Sequence, residues 1–371
     1  MDKDWQQEGA VRFQVGNAFF RQASRVGRDL GVLAATLYRQ QRGQLQVLDG
    51  MSGCGVRSLR YAQEAQADCV WANEANPDVA AVLQHNLATQ LSASQFQVTI
   101  GSAKQVLARC LAQPRYFDLI DLDAFGSPSA EVGLALQVTR KGGLLYVTGT
   151  DSRTYAGHNP AASLRQCGAY ARSHPAVHEQ GLRLLLGNTL QQALFQGWAI
   201  APVFSLFYGQ TYRIMVRLIK ALPCVEDQYG FIGHCHGCGH FETVHWRGLS
   251  RAMCHSHSEP LPLTLSGPMW LGPLHDPLFL AEMAQLAQEW HWLEQQKLLA
   301  TMIAEVPFPP YFFTLAEIGR RSKLDIPKRE ALIAALQEAG YQATATHIEA
   351  QALKTDASFH DCLAVAAQLQ R

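Results

Sequence analysis

Between residues 45 and 150 short apolar runs alternate with helix-forming stretches, and this alternation dictates the architecture. Leu45–Leu48, Cys69–Ala72, Phe96–Ile100, Phe117–Leu122 and Leu144–Thr148 read as strands. Helical segments separate them: Ser58–Gln66, and a second opened by Pro77, whose missing donor suits a first helical turn. Repeated βα units demand a parallel sheet covered by helices on both faces. Three of the strands end on acids: Asp49, Glu74 and the run from Asp118 to Asp123. Gly181–Ala193 reads as a helix, and Trp198–Phe207 with Tyr212–Ile219 as an antiparallel hairpin closing the sheet.

At 371 residues the chain is long for one domain, so two are expected, 1–220 and 221–371. The 48% hydrophobic and 17% charged content suits a globular core. No apolar run approaches the roughly 20 residues of a membrane span, so no membrane association is expected. The first residues, polar and mixed in charge, do not resemble a signal peptide, which points to the cytoplasm. Nine cysteines in a reducing compartment are free thiols or metal ligands. Zero net charge argues against coating nucleic acid through bulk charge and leaves room for a local basic face.

Near residue 220 the pattern changes. Residues 224–275 are rich in Cys, His, Gly and Pro and form a small metal-stapled module. Cys235-x-x-Cys238 and Cys254-x-x-His257 are two knuckles 16 residues apart, Cys238 to Cys254, a zinc spacing. Four ligands leave no open coordination position, so the metal braces the fold. His255 or His236 could compete for the fourth place, and Cys224 is off-spacing. Pro277–Ala304 reads as one long amphipathic helix. Thr314-Leu315-Ala316-Glu317 is a capping-box pattern. Pro327–Ala339 follows as a helix, with Leu332, Ile333 and Leu336 on one face, stopped by Gly340. With a strand at Tyr341–His347, residues 305–371 form a winged-helix-like unit.

The loop Asp49-Gly50-Met51-Ser52-Gly53-Cys54-Gly55-Val56-Arg57 follows the first strand. Ligands of doubly wound sheets bind at such carboxyl ends, and glycines there admit close backbone approach. The spacing is not the dinucleotide fingerprint G-x-G-x-x-G. Glu74, 25 residues beyond Asp49, can accept both ribose hydroxyls of a nucleoside cofactor. A nicotinamide enzyme would carry the same acid, but its glycine spacing is missing. S-adenosylmethionine is the better fit.

In Asp118-Leu119-Ile120-Asp121-Leu122-Asp123-Ala124-Phe125-Gly126-Ser127-Pro128, strand alternation puts Asp121 and Asp123 on one side. Three acids so close would repel one another if buried, so a function is implied. The chemistry that fits is methylation of an exocyclic amine, whose lone pair is delocalised into its ring. A carboxylate accepting from the amino group localises that pair and stabilises charge developing on nitrogen. Phe125 could stack on the target base, and Gly126 allows close approach.

These residues resemble the tRNA guanine-26 N2-dimethyltransferases across almost the whole chain. The resemblance rests on Arg28-Asp29, on Ser52-Gly53-Cys54-Gly55-Val56-Arg57, on Glu74, on Ser102-Ala103 and on Asp123 to Pro128. It extends to Thr148-Gly149-Thr150-Asp151, His178-Glu179, Arg183, Tyr212-Arg213, Gly267 to His275, Thr344 to His347 and Lys354-Thr355-Asp356. It implies a Rossmann-like class I methyltransferase sheet with a zinc-containing, winged-helix-like C-terminal domain. Arg28, Arg57 and Glu74 would contact S-adenosylmethionine, with Asp49, Ser52, Gly53 and Asp121 completing the site and Ser102 and Ala103 flanking the adenine. Asp123 would be the catalytic acid at guanine N2 of a flipped base.

The sequence departs from the family at three places. Its aromatic-Asn-Pro segment stands here as Phe19-Phe20-Arg21-Gln22, where Phe20 is the expected substrate or cofactor contact. Ser102 replaces an Asp. Ala124 replaces a proline, which would leave the acid loop looser. Phosphate contacts are expected from Arg320, Arg321, Lys323, Lys328, Arg329 and Lys354. An amine methyltransferase acting on DNA or a protein glutamine is the nearest alternative, and an inactive RNA-binding relative is another. No obligate protein partner is evident.

Overall fold

In the computed structural model, residues 5–220, 225–323 and 325–369 are described. Cys224 and the expected boundary at 220/221 lie at or beyond the edge of that set.

A hairpin of β1 (Trp5–Glu8) and β2 (Val11–Gln14) precedes α1 (Arg25–Arg42). Neither was legible as an element in the sequence. The βα units then run β3 (Gln46–Asp49), α2 (Val56–Gln63), β4 (Cys69–Glu74), α3 (Ala80–Ala88), β5 (Phe96–Ile100), α4 (Ala103–Ala112), β6 (Phe117–Asp123), α5 (Ser129–Val138) and β7 (Thr139–Gly149). Two short helices follow, α6 (Ser152–Tyr155) and α7 (Pro160–Cys167). Then come α8 (Val177–Leu194) and the hairpin β8 (Ala199–Tyr208) and β9 (Thr211–Ile219).

The sheet has seven strands in the order β5-β4-β3-β6-β7-β9-β8. The first five are parallel, and β9 runs antiparallel to both its neighbours. The expected hairpin is therefore present and closes one edge. Chain order reverses at β3, which lies between β4 and β6, so the ligand crevice of such a sheet opens at their carboxyl ends.

Alternation along the strands sorts two cores. Leu48, Ile120, Leu145 and Val147 face one layer, and Val47, Leu119, Leu144 and Tyr146 the other. Each layer continues past residue 220. The second half contributes α9 (Val225–Gln228), β10 (Tyr229–His234), β11 (Phe241–Val244), β12 (Met253–Cys254), β13 (Leu261–Pro262) and β14 (Thr264–Trp270). Helices α10 (Pro277–Glu289) and α11 (Leu293–Ala304) lead to β15 (Phe313–Thr314), α12 (Leu315–Ser322), α13 (Arg329–Glu338), β16 (Ala343–Ala345), β17 (Ala352–Thr355) and α14 (Phe359–Gln368).

The single helix expected over Pro277–Ala304 is two. His291 adopts φ 58°, and the chain reverses between Trp290 and Trp292, whose rings meet edge-on at 4.9 Å. Reversal lets Leu280 and Met283 of α10 and Leu299 and Met302 of α11 join one cluster with Leu30, Leu33 and Leu37 of α1. Each such side chain contributes about 1.5–3 kcal/mol on burial, so this pair belongs to the core of the sheet. Gln295 adds a 2.6 Å hydrogen bond to Asp29.

In the last unit a three-stranded sheet of order β15-β17-β16 accompanies α12, α13 and α14. Thr314 caps α12 by accepting from the Glu317 amide. The reciprocal half of the capping box is replaced, because the Glu317 carboxylate is turned to Arg320 and Arg321. The strand expected at Tyr341–His347 shortens to β16, and helix α14 follows β17.

Candidate functional site

The loop after β3 folds back over its neighbours. Gly50 donates to Asp121 O at 2.9 Å and Ser52 to Asn73 O at 2.8 Å. Gly55, at φ 86°, caps α2 in a left-handed conformation, and a Cβ there would sit 2.8 Å from Leu83. Glu74 reaches in from β4: its carboxylate accepts from the Gly53 amide at 2.8 Å and from Asn76 N at 2.9 Å. Ala103 is buried beside Gly50, while Ser102 caps α4 in a reciprocal capping box with Gln105. The set fits a nucleoside cofactor: a carboxylate at the end of β4 and backbone amides at the switch point.

Arg57 is the hub of the acids. Its Nη2 lies 3.3 Å from Asp49 and its Nε 3.5 Å from Asp121, and Nη1 pairs with Asp123 Oδ2. Ser58 donates to Asp49 at 2.8 Å, and Tyr61 to Asp121 at 2.7 Å. Arg213 Nη2 stands 3.6 Å from the other oxygen of Asp123. The sequence carried Arg213 only as a motif member. Its position follows from register: Asp123 pairs with Thr148 across β6 and β7, and Thr148 with Arg213 across β7 and β9.

These neighbours drive the two acids apart. Burial works to raise Asp123, but Arg57, Arg213 and the Thr148 hydroxyl overcome it and hold its carboxyl at about 2. Burial pushes Asp121 up to about 7 against the pull of Arg57, and the charges of Asp49 and Asp123 add to the rise. Asp123 is the one with access to solvent, its side chain 28% exposed against 0% for Asp49 and 1% for Asp121. It is therefore an ionised, accessible acceptor.

Two exposed rings stand at this mouth. Phe125 is 73% and Phe19 68% exposed, and their centroids lie 5.0 Å apart at 72°. Phe20, the expected contact, turns inward instead. It packs edge-on against Phe13 at 5.2 Å and lies under the Arg28 guanidinium at 5.1 Å. Alternation along an extended segment decides which of two adjacent rings faces out, and the sequence alone offers no register for it. Arg28 is buried in a bidentate pair with Glu8, which orients its guanidinium below the loop.

In the second half, the Sγ and Nε2 atoms of Cys235, Cys238, Cys254 and His257 lie within 4.8 Å of one another. Cys235 Sγ is 3.2 Å from His257 Nε2, and Cys238 Sγ 3.5 Å from Cys254 Sγ. Tetrahedral zinc bonds of about 2.0–2.3 Å call for ligand spacings of this order, so the cluster could hold zinc. His236 instead lies edge-on to His234 at 4.7 Å.

A second trio, His275, Glu305 and His347, is equally compact. Ser205 N donates to His275 Nδ1 at 3.3 Å, which assigns the imidazole proton to Nε2, 3.2 Å from Glu305. A metal there would have to displace that proton. His347 Nδ1 also pairs with Glu305, so the carboxylate is held by two imidazoles.

The expected phosphate contacts divide. Arg320 is on the surface, its side chain 64% exposed, and Lys323 and Lys328 are exposed. Arg329 is half-buried and bonded to Glu330 and Ala350 O. Arg321 is 12% exposed and donates to the carbonyls of His236 and Gly237. It fastens α12 to the first knuckle and does not face solvent as a phosphate contact. Nor is Lys354 placed as a phosphate contact: it is 2% exposed, 2.7 Å from Glu179, and donates to Pro309 O and Tyr311 O.

The profile of a family described as N2,N2-dimethylguanosine tRNA methyltransferase matches residues 5–367. A tRNA (guanine(26)-N(2))-dimethyltransferase of Thermococcus kodakarensis is 29% identical over 369 residues, covering 94% of this chain and 93% of that one. One from Pyrococcus horikoshii is 29% identical over 378 residues, covering 95% of each. A solved structure of Trm1 from Pyrococcus horikoshii with S-adenosyl-L-methionine superimposes with a TM-score of 0.84 at 26% identity, over 97% of this chain and 99% of that one.

Proposed function

Because the chain belongs to the N2,N2-dimethylguanosine tRNA methyltransferase family, we propose that Asp123 holds the amino group of a guanine in tRNA for methylation at N2. The methyl donor is S-adenosylmethionine, whose sulfonium supplies an electrophilic methyl when bound. The N2–C bond forms as the S–C bond breaks, and the released proton passes to solvent at the open side of Asp123. A repeat gives N2,N2-dimethylguanosine. Position 26 is the site in the names of the relatives, and we take it for this chain.

Each residue has a task in this reading. Glu74 receives the ribose hydroxyls, with Asp49, Ser52 and Gly53 shaping the loop, Arg57 and Arg28 on the methionine side, and Ser102 and Ala103 beside the adenine. Asp121 backs Arg57. Asp123 accepts from N2–H and stabilises positive charge developing on nitrogen. With a carboxyl at about 2 it is an acceptor and not a store for the proton. Phe19 and Phe125 hold the flipped base, and Gly126 lets it approach.

We assign methyl transfer to residues 1–220 and tRNA holding to 221–371, with zinc on Cys235, Cys238, Cys254 and His257 as a brace and Arg320, Lys323 and Lys328 as phosphate contacts. No helix among the described residues is long and apolar enough to cross a membrane. We place the enzyme in the cytoplasm, acting without an obligate protein partner.

The observation that carries the reading is the accessible edge of Asp123 between two guanidiniums, two residues before the exposed ring of Phe125. Labelled methyl transfer to unmodified tRNA, followed by nucleoside analysis, tests it. N2-methylated guanosine is expected, and its absence overturns the reading. Asp123→Ala should abolish transfer while leaving S-adenosylmethionine binding intact.

A further inference from the structure

Ala124 leaves the acid loop without a ring to stiffen it, yet the structure stiffens the loop another way. Gly126 donates its amide to Thr150 Oγ1 at 2.7 Å, and Thr150 donates its own amide to Gly126 O at 2.8 Å. Two hydrogen bonds between one pair of residues fix both the separation and the orientation of the segments they join. Gly126 sits at φ 77°, a conformation that turns the chain sharply after Phe125. The other side of the clamp is itself anchored. Asp151, next to Thr150, caps α6 by accepting from the Thr154 amide at 3.2 Å and hydroxyl at 2.7 Å, and takes Gln166 at 3.1 Å. Thr150 also leads directly from the end of β7, whose Thr148 faces Asp123 in the sheet register. Asp123 and Phe125 are thus referred to one rigid frame, and Ala124 is buried between them.

We propose that Thr150 is a positioning residue for the base-holding segment, fixing the chain that carries Phe125 relative to Asp123 through its paired hydrogen bonds with Gly126. The demand on it is greater at the second methylation. The first product carries a single remaining N2–H, so the base must return with that one bond aimed at Asp123 and its new methyl accommodated. A segment that wanders satisfies the first transfer more readily than the second. Thr150 therefore influences the ratio of dimethylated to monomethylated guanosine. This rests on Asp123 and Phe125 holding the base.

The test uses the full chain, an unmodified tRNA transcript and labelled S-adenosylmethionine. Thr150→Val removes the acceptor at nearly constant shape, and Thr150→Ser restores it. Thr150→Val should lower kcat/KM for tRNA by about tenfold or more and shift product toward the monomethyl form, with the Kd for S-adenosylmethionine unchanged. Amide exchange of residues 124–128 should quicken in Thr150→Val and not in Thr150→Ser. Wild-type rate and product ratio in Thr150→Val, or no recovery in Thr150→Ser, overturns the proposal. If the valine variant does not accumulate folded, Thr150→Ala against Thr150→Ser carries the same comparison. Failure of the underlying reading has a separate signature, in which Phe125→Ala keeps wild-type activity.

Discussion

Arg213 and Arg57 grip opposite oxygens of Asp123, Arg213 at 3.6 Å from Oδ1 and Arg57 on Oδ2. They enter from β9 and α2, 156 residues apart in the chain. Two cations on one carboxylate keep it ionised and leave its open edge aimed outward.

Removing one of them should move the acid limb of the rate profile. Asp123 is held at about 2, so Arg213→Met raises it and shifts the acid limb of kcat/KM to higher pH. The lowered carboxyl also stabilises the fold above the usual carboxylate range, a contribution lost as pH falls from about 4 toward 2. An acid limb at the same pH in Arg213→Met would refute the assigned electrostatics.

Asp121 should behave in the opposite sense. Its carboxyl is raised to about 7, so its contribution to stability is fully present below about 4 and lost as pH rises toward 7. Above that range the buried carboxyl must ionise at a cost, and Asp121→Asn removes that cost while keeping an acceptor for Tyr61. The variant should gain a few degrees in Tm at pH 8 relative to the parent, and less at pH 5. Equal gains at both values would count against a raised carboxyl.

Phe19 and Phe20 should separate cleanly. Phe19→Ala should raise KM for tRNA with Tm nearly unchanged, because its ring is exposed. Phe20→Ala strips contacts from Phe13 and Arg28 and should cost on the order of 2 kcal/mol of stability. Urea unfolding and steady-state kinetics on both variants decide it.

Metal analysis of the purified chain should give one zinc per molecule. Cys238→Ser should lower that content and the melting temperature. His275→Ala should leave zinc content as it was, since the His275 proton faces Glu305. Two equivalents of zinc would contradict the tautomer assignment.

The two cations assigned opposite fates make a paired test. Lys354→Met leaves Glu179 buried with Arg183 alone and should cost about 3 kcal/mol, with the salt dependence of tRNA binding preserved. Arg320→Ala should leave Tm unchanged and reduce the slope of log binding constant against log salt by roughly one. Filter binding across a salt series reads the difference.

The sheet and its acids were legible because both depend on short-range pattern. Alternating βα units fix a parallel core, and acids at strand ends fall at the crevice by geometry. The Cys235, Cys238, Cys254 and His257 cluster was legible because knuckle spacing is local. What failed to show depends on contacts between distant segments. Arg213 acquires its role only when β9 inserts beside β7, and Thr150 only when it meets Gly126. Lys354 looked like a surface cation because nothing near it in sequence supplies Glu179. The break at His291 escaped notice because the apolar period resumes after it, facing the same neighbour from the return direction.

The helical hairpin of α10 and α11 has a consequence for how the chain is made. The apolar side of α1 is complete once residue 42 has been synthesised, and its cover begins at residue 277. At about 5–20 residues per second, a ribosome needs roughly ten to fifty seconds to deliver the missing layer. Throughout that interval the nascent catalytic sheet carries an open greasy flank. Translation speed and chaperone supply therefore bear on the yield of active enzyme as directly as any substitution in the site, and a chain truncated before residue 277 inherits that flank permanently.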